Sequence, residues 1–245
     1  MISVRRATER HLERRRKQEI WHTFFPGDGA SPFAKGFGHL EALDEDLLPP
    51  GGGAARHPHR DSEIITYVRE GALSHEDSMG LSGVIHAGEF QRMTAGHGLR
   101  HSETNASRTD WAHVFQMCFH PAEADLEPSH AQSRFSAAER RGVLRVIASP
   151  DGRRGSLRIH QDAIVYSAIL DRGQHLVHEL ANGRSAWLHV VLGQVMLGDE
   201  VLGTGDGAGL VTERAVSFTA QEEAEVLLLD LGEPKVKSSH EGGVT

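Results

Sequence analysis

Two stretches decide how this chain is read: HPHRDSEIITYVREGALSHEDSMG (57–80) and GEFQRMTAGHGLRHSETN (88–105). The first opens on His57-Pro58-His59 and the second closes around His101-Ser102-Glu103. Both pairs are spaced i, i+2, and in a β-strand residues two apart point to the same face. Two neighbouring strands of this kind aim three imidazoles and one carboxylate into a single space, as a metal site on an antiparallel sheet requires. Taken singly, each pair also reads as polar residues near a turn, and among 17 histidines proximity alone carries little. Taken together, His57, His59, His101 and Glu103 form a ligand set that leaves positions open on a five- or six-coordinate divalent metal. That is a catalytic pattern and not a closed structural one. The donors suit Fe, Cu, Ni, Mn and Zn alike. Pro58 cannot donate to a sheet ladder, so its strand is expected at an edge.

Working outward, Glu63 falls four residues after His59 and is a candidate fifth ligand or a support for the ligands. His97 lies between two glycines and reads as a loop residue. His113 sits in Trp111–Phe119, a strand apolar on both faces and therefore expected to be buried on both. His39, His75 and His86 are weaker competitors. Strands recur every few residues and the turns between them are marked by glycine, of which there are 27. This texture indicates a sandwich or barrel. After residue 142 it resumes, with no ligand pair: His175 and His178 are three apart, and Gly207-Ala208-Gly209 offers no side chain to a metal. The expected organisation is an N-terminal metal-binding domain (1–122), a polar linker with a helical turn (123–142) and a C-terminal domain without metal (143–245), ending in a polar tail.

Composition excludes several classes. The formal net charge of −8 argues against direct nucleic-acid binding, which needs a basic surface. No apolar run is long enough for a membrane span. The lone Cys118 rules out an intrachain disulfide and suits a reducing, cytoplasmic compartment. His11–Gln18, with Arg14-Arg15-Arg16-Lys17, reads as a solvated charge run in a turn or short helix. No phosphate loop, Ser-His-Asp order or CxxC motif is present.

Gly53-x3-His57-x-His59-x3-Glu63 and Gly88-x5-Thr94-x-Gly96-x4-His101-x3-Asn105 resemble the two cupin motifs, and the quoted strings resemble the pirin family closely. WHTFF, GFGHL and the VFQM strand extend the likeness. The resemblance implies an all-β bicupin, two β-sandwich barrels facing one another with metal in the N-terminal one only. It maps the ligands to His57, His59, His101 and Glu103 and moves Glu63 into a supporting shell with His97 and His113. Thr94 stands where other cupins carry proline, as in pirins. The Pro26–Lys35 loop is shorter and less aromatic than the family pattern. The implied activity is a dioxygenase that opens a flavonol such as quercetin with O2. In it Glu103 takes the 3-hydroxyl proton and one divalent metal, Fe(II) first with Ni, Cu, Mn, Co or Zn as alternatives, stabilises the oxyanion. The substrate cavity is expected to be apolar, walled near Ile65, Phe90, Met93 and Phe115. The alternative is a metal-gated regulatory binding protein, a transcription co-regulator or redox sensor with a protein partner. Only the Arg14–Lys17 run hints at such a partner surface. A monomer is expected.

Overall fold

The structure, a computed structural model, describes residues 1–29 and 31–233; the polar tail expected beyond Glu233 lies outside the described residues. The strands of the first half are β1 (Ile2–Arg5), β2 (His11–Arg15), β3 (Gln18–His22), β4 (Leu40–Leu48), β5 (Gly53–His59) and β6 (Glu63–Glu70). They continue with β7 (Ala72–Asp77), β8 (Ser82–His86), β9 (Glu89–Thr94), β10 (Leu99–Asn105), β11 (Ala112–Phe119) and β12 (Ser129–Arg134). A single turn of helix, α1 (Ala137–Arg140), is capped by Ser136, whose side chain accepts from the Glu139 backbone N–H. The second half holds β13 (Arg145–Ser149), β14 (Leu157–Arg158), β15 (Ala163–Leu170), β16 (His175–Glu179) and β17 (Ser185–Leu192). It ends with β18 (Gln194–Leu197), β19 (Glu200–Gly203), β20 (Gly207–Leu210), β21 (Ala215–Ala220) and β22 (Ala224–Leu231).

Each half builds a seven-stranded and a four-stranded sheet: β12-β9-β6-β11-β4-β3-β2 with β5-β10-β7-β8, then β1-β20-β17-β22-β15-β13-β14 with β16-β21-β18-β19. The chain is an all-β bicupin. Gly71 and Gly193 make matching turns in the two halves, at φ 77 and 79. A Cβ at either would stand 2.6 Å or 2.1 Å from a backbone oxygen, so only glycine fits.

Two segments join the halves in ways the sequence did not suggest. β1 adds to β20 of the second half, with Val4 opposite Ala208. The segment 123–142, expected as a linker, carries β12, which extends the first half's sheet beyond β9. His11–Gln18 is no helix: β2 and β3 form a hairpin turning at Arg16 (φ 58). There Arg14 pairs with Glu19 and Arg15 with Glu13, so part of the basic run is neutralised locally.

Strand parity sorts the side chains. Ile65 and Tyr67 of β6 and Phe115, Met117 and Phe119 of β11 pack with Trp187, Leu227 and Leu229 in one core shared by both halves. The alternate residues of β11, Val114 and Cys118, turn into the first barrel, among smaller clusters with Val68, Leu73, Ile64 and Met93. The interior of the second barrel is filled. Where β10 carries His101 and Glu103, the matching β21 buries Val216 and Phe218 among Val195, Leu197 and Leu202.

Candidate metal centre

β5 is an edge strand, and Pro58 sits in it without interrupting a central ladder. β10 runs antiparallel beside it, with His101 directly opposite His57. The register shifts between His101 and Glu103, so that Glu103 lies opposite Ala54. Such a bulge re-aims side chains locally. The ring centroids of His57, His59 and His101 are 4.5–4.9 Å apart. One nitrogen from each lies within 4.8 Å of the others, and this is the one such group among the described residues.

The donors suit a divalent metal. His57 Nδ1 lies 2.9 Å from the Ala55 carbonyl; donating there, the ring keeps its Nε2 lone pair free. His57 Nε2 and His101 Nε2 face each other at 3.1 Å, too close for two lone pairs without a cation or proton between them. Burial, then the neighbouring His57, lowers His59 to about 4. Burial, then His59 and His57, lowers His101 to about 3. Both rings are therefore neutral near pH 7, the form that binds metal. Glu103, expected as the fourth ligand, follows on β10 but lies outside this group of mutually close donors. Its buried carboxylate accepts from Gln116 Nε2 at 2.7 Å, and burial pushes its pKa up.

His57 and Glu103 also line a cavity of about 120 Å³. Its walls come from β3, β4 and β11: Gln18, Ile20 and His22; Asp44, Asp46 and Leu48; Val114 and Gln116. His22 Nδ1 is 2.9 Å from Asp44. Burial, then Asp44 and Glu103, raises Asp46 to about 7. These residues went unnoticed in the sequence, although LEALDEDLL (40–48) shows Asp44 and Asp46 at the same i, i+2 spacing that singled out the histidines.

Asp46 yields a prediction. A carboxyl whose folded pKa is raised contributes stability that is present below its unfolded pKa and lost as pH rises through the folded value. Metal-free protein should therefore lose stability between about pH 4 and pH 7 through Asp46. Asp46→Asn should raise Tm at pH 8, by about 2–4 °C per kcal/mol recovered, and leave Tm at pH 4 nearly unchanged. Calorimetry at the two pH values checks it; equal shifts at both would remove the role given to Asp46.

Three expected supporting residues stand elsewhere. Glu63 is fully buried but faces the second half, within 3.3 Å of the backbone N–H and Nδ1 of His160. The cause is a turn at Asp61 (φ 46) that carries the chain from β5 into β6 of the other sheet, ending the parity shared with His59. His113 points to the core between the halves, where Nε2 is 2.7 Å from Glu45, itself paired with Arg10. His97 sits in the turn before β10, with Nε2 3.3 Å from Glu127, and lines with His59 a shallow surface depression. The expected apolar walls are likewise displaced. Ile65, Phe90 and Phe115 belong to the shared core, and only Met93 turns into the first barrel.

Comparison with known proteins agrees with this architecture. The family model for pirin matches residues 4–118, and that for the quercetinase C-terminal cupin domain matches 146–231. The chain is 40% identical over 231 residues to a quercetin 2,3-dioxygenase of Escherichia coli K12, covering 94% of this chain and 99% of that protein. It is 35% identical over 210 residues to a pirin-like protein of Caulobacter vibrioides, covering 85% and 90%. Among solved structures, the bacterial pirin YhhW of E. coli in complex with nickel(II) superimposes with a TM-score of 0.89 at 39% identity, covering 95% of this chain and all of that one. With its converging histidines, its filled second barrel and these relatives, the chain belongs to the pirin family.

Proposed function

We propose that this protein is a metal-dependent dioxygenase that opens a flavonol such as quercetin with O2, releasing carbon monoxide. The observation that carries the reading is the convergence of three imidazoles, one of which, His57, lines a cavity together with Glu103. A quercetin 2,3-dioxygenase name on a relative of nearly full coverage supports the same reading. His57, His59 and His101 would hold the metal, with Glu103 as the fourth ligand. Fe(II) is the metal proposed, although a relative has been solved with nickel(II). When bound, the metal supplies Lewis-acid stabilisation of the flavonol 3-oxyanion.

The chain's own residues do the rest. Glu103 accepts the 3-hydroxyl proton, and its raised pKa brings it closer to the proton it must hold. Gln116, 2.7 Å away, fixes that carboxylate by donating to Oε2.

The test is to load metal-free protein with Fe(II), Ni, Cu, Mn or Co and follow the flavonol absorbance in air, with headspace analysis for carbon monoxide. Turnover with at least one metal is expected. Glu103→Gln should weaken metal binding and, with metal saturating, lower kcat by about 10²–10⁴, the usual worth of a general base. If no metal form consumes quercetin, the dioxygenase reading is lost.

A further inference from the structure

The cavity beside the metal centre has a chemical character that the flavonol reading leaves unused. At about 120 Å³ it is well below the ~300–1,000 Å³ that encloses a drug-sized ligand, so it takes a single ring and not a fused system. Its polar residues form a row across three strands. Asp44 lies opposite His22 on β3 and opposite Gln116 on β11, and Gln116 donates to Glu103. One step along β4, Asp46 lies between Ile20 and Val114. Carboxylate oxygens therefore stand on a wall continuous with the metal centre, among apolar surface from Ile20, Leu48, Leu73 and Val114. Such a wall accepts hydrogen bonds, repels anions and leaves apolar flanks for a flat ring. Beside the Asp44 pair, Phe25 stacks on His11 at 3.7 Å, and its ring centroid is 6.4 Å from that of His22.

We infer that Asp44 and Asp46 bind the two adjacent hydroxyls of the substrate's pendant phenyl ring and so select flavonols dihydroxylated there. This rests on the flavonol reading above. The pendant ring is the part of a flavonol joined by one single bond, and it is attached next to the carbon that bears the 3-hydroxyl. With that hydroxyl at Glu103 and the metal, the pendant ring is the one adjacent to His57 and Glu103, and it is the single ring the cavity accepts. One hydroxyl donates to the Asp44 carboxylate, a charge-assisted bond and the stronger kind, and the other bonds the Asp46 carboxyl. Asp44 is held in place for this by His22 at 2.9 Å.

The test uses metal-loaded protein without oxygen, so that binding is read apart from turnover. Three flavonols are titrated by tryptophan fluorescence: identical in the fused rings, with the pendant ring bearing no hydroxyl, one at the 4′ position, or two at 3′ and 4′. The parent should bind the dihydroxylated compound at least about tenfold more tightly than the unsubstituted one, a modest return for two hydrogen bonds. The Asp44→Asn/Asp46→Asn double variant, shown folded by its melting curve, should reduce that ratio to below about threefold. A parent without preference overturns the inference. So does a preference that survives the double variant, which would place the diol on the metal instead of the wall. In both cases turnover of any of the three compounds in air keeps the dioxygenase reading standing. If none of the three binds and none is turned over, both fall together.

Discussion

His101→Ala should leave a folded protein that neither retains metal nor consumes flavonol. His101 is 3% exposed and is the imidazole supplied by the inner strand β10; its loss leaves two imidazoles, His57 and His59, from one edge strand. Two neighbouring imidazoles cannot replace a converging set. Disturbing residues that merely orient ligands already costs 10–100-fold in metal affinity or activity, so removal of a ligand should exceed about 100-fold in affinity. Elemental analysis after gel filtration should fall from about one divalent ion per chain to near none. A second readout needs no activity. A ligand that binds only the folded state stabilises it by about 2.7 kcal/mol at a hundred times its Kd. Added metal should therefore raise the parent's Tm and leave the variant's unmoved. If His101→Ala kept its full complement of metal and its metal-dependent rise in Tm, the three-histidine centre would be wrong.

The same strand shows what was legible in the sequence. The i, i+2 pairs needed only strand geometry, and His57 does lie opposite His101. The all-β texture followed from glycine-marked turns; that Val216 and Phe218 fill the second barrel was not read from the sequence. Alternation in β11 separated Phe115 and Met117 from Val114 and Gln116, but alternation cannot say which face meets the site. For that reason Ile65, Phe90 and Phe115 were expected around the substrate and instead join the core between the halves. Glu63 and His113 failed for related reasons. A single turn at Asp61 changes the sheet to which the chain belongs, and a partner as remote as His160 or Glu45 leaves no local trace. The β1–β20 pairing spans nearly the whole chain and is equally silent in sequence. Gly207 records one part of it: a Cβ there would come within 2.4 Å of the Trp187 ring. What looked like a gap in the ligand pattern is the clearance needed for the largest buried side chain of the shared core.

That core is crossed by a polar network centred on Glu225, and it carries the largest expected loss of stability. Glu225 of β22 is 7% exposed. It accepts from Tyr67 of the first half at 2.5 Å and from Arg140 of α1 at 2.7 Å, while Arg69 approaches its other oxygen at 3.3 Å. Arg140 also donates to Ser167 at 3.0 Å and lies over the Tyr67 ring. The network ties the first sheet, the connecting segment and the second sheet together at one carboxylate. Glu225→Ala would leave the Arg140 guanidinium buried without its counter-charge. Breaking a buried pair in this way costs about 3–5 kcal/mol, far more than the intact pair contributes over an apolar replacement. For a chain of this size that corresponds to roughly 6–20 °C in Tm. Arg141, the next residue, supplies the control. Its ion pair with Asp171 joins side chains that are 43% and 54% exposed, and Arg141→Ala should cost under about 1 kcal/mol. Denaturant unfolding of the two variants tests the contrast. A Glu225→Ala loss no greater than that of Arg141→Ala would mean that water reaches Arg140 and that this network does not hold the halves together. Because Glu225 lies on the second half's sheet and away from the histidines, its variant should still bind metal at temperatures where it remains folded, which separates loss of the fold from loss of the site.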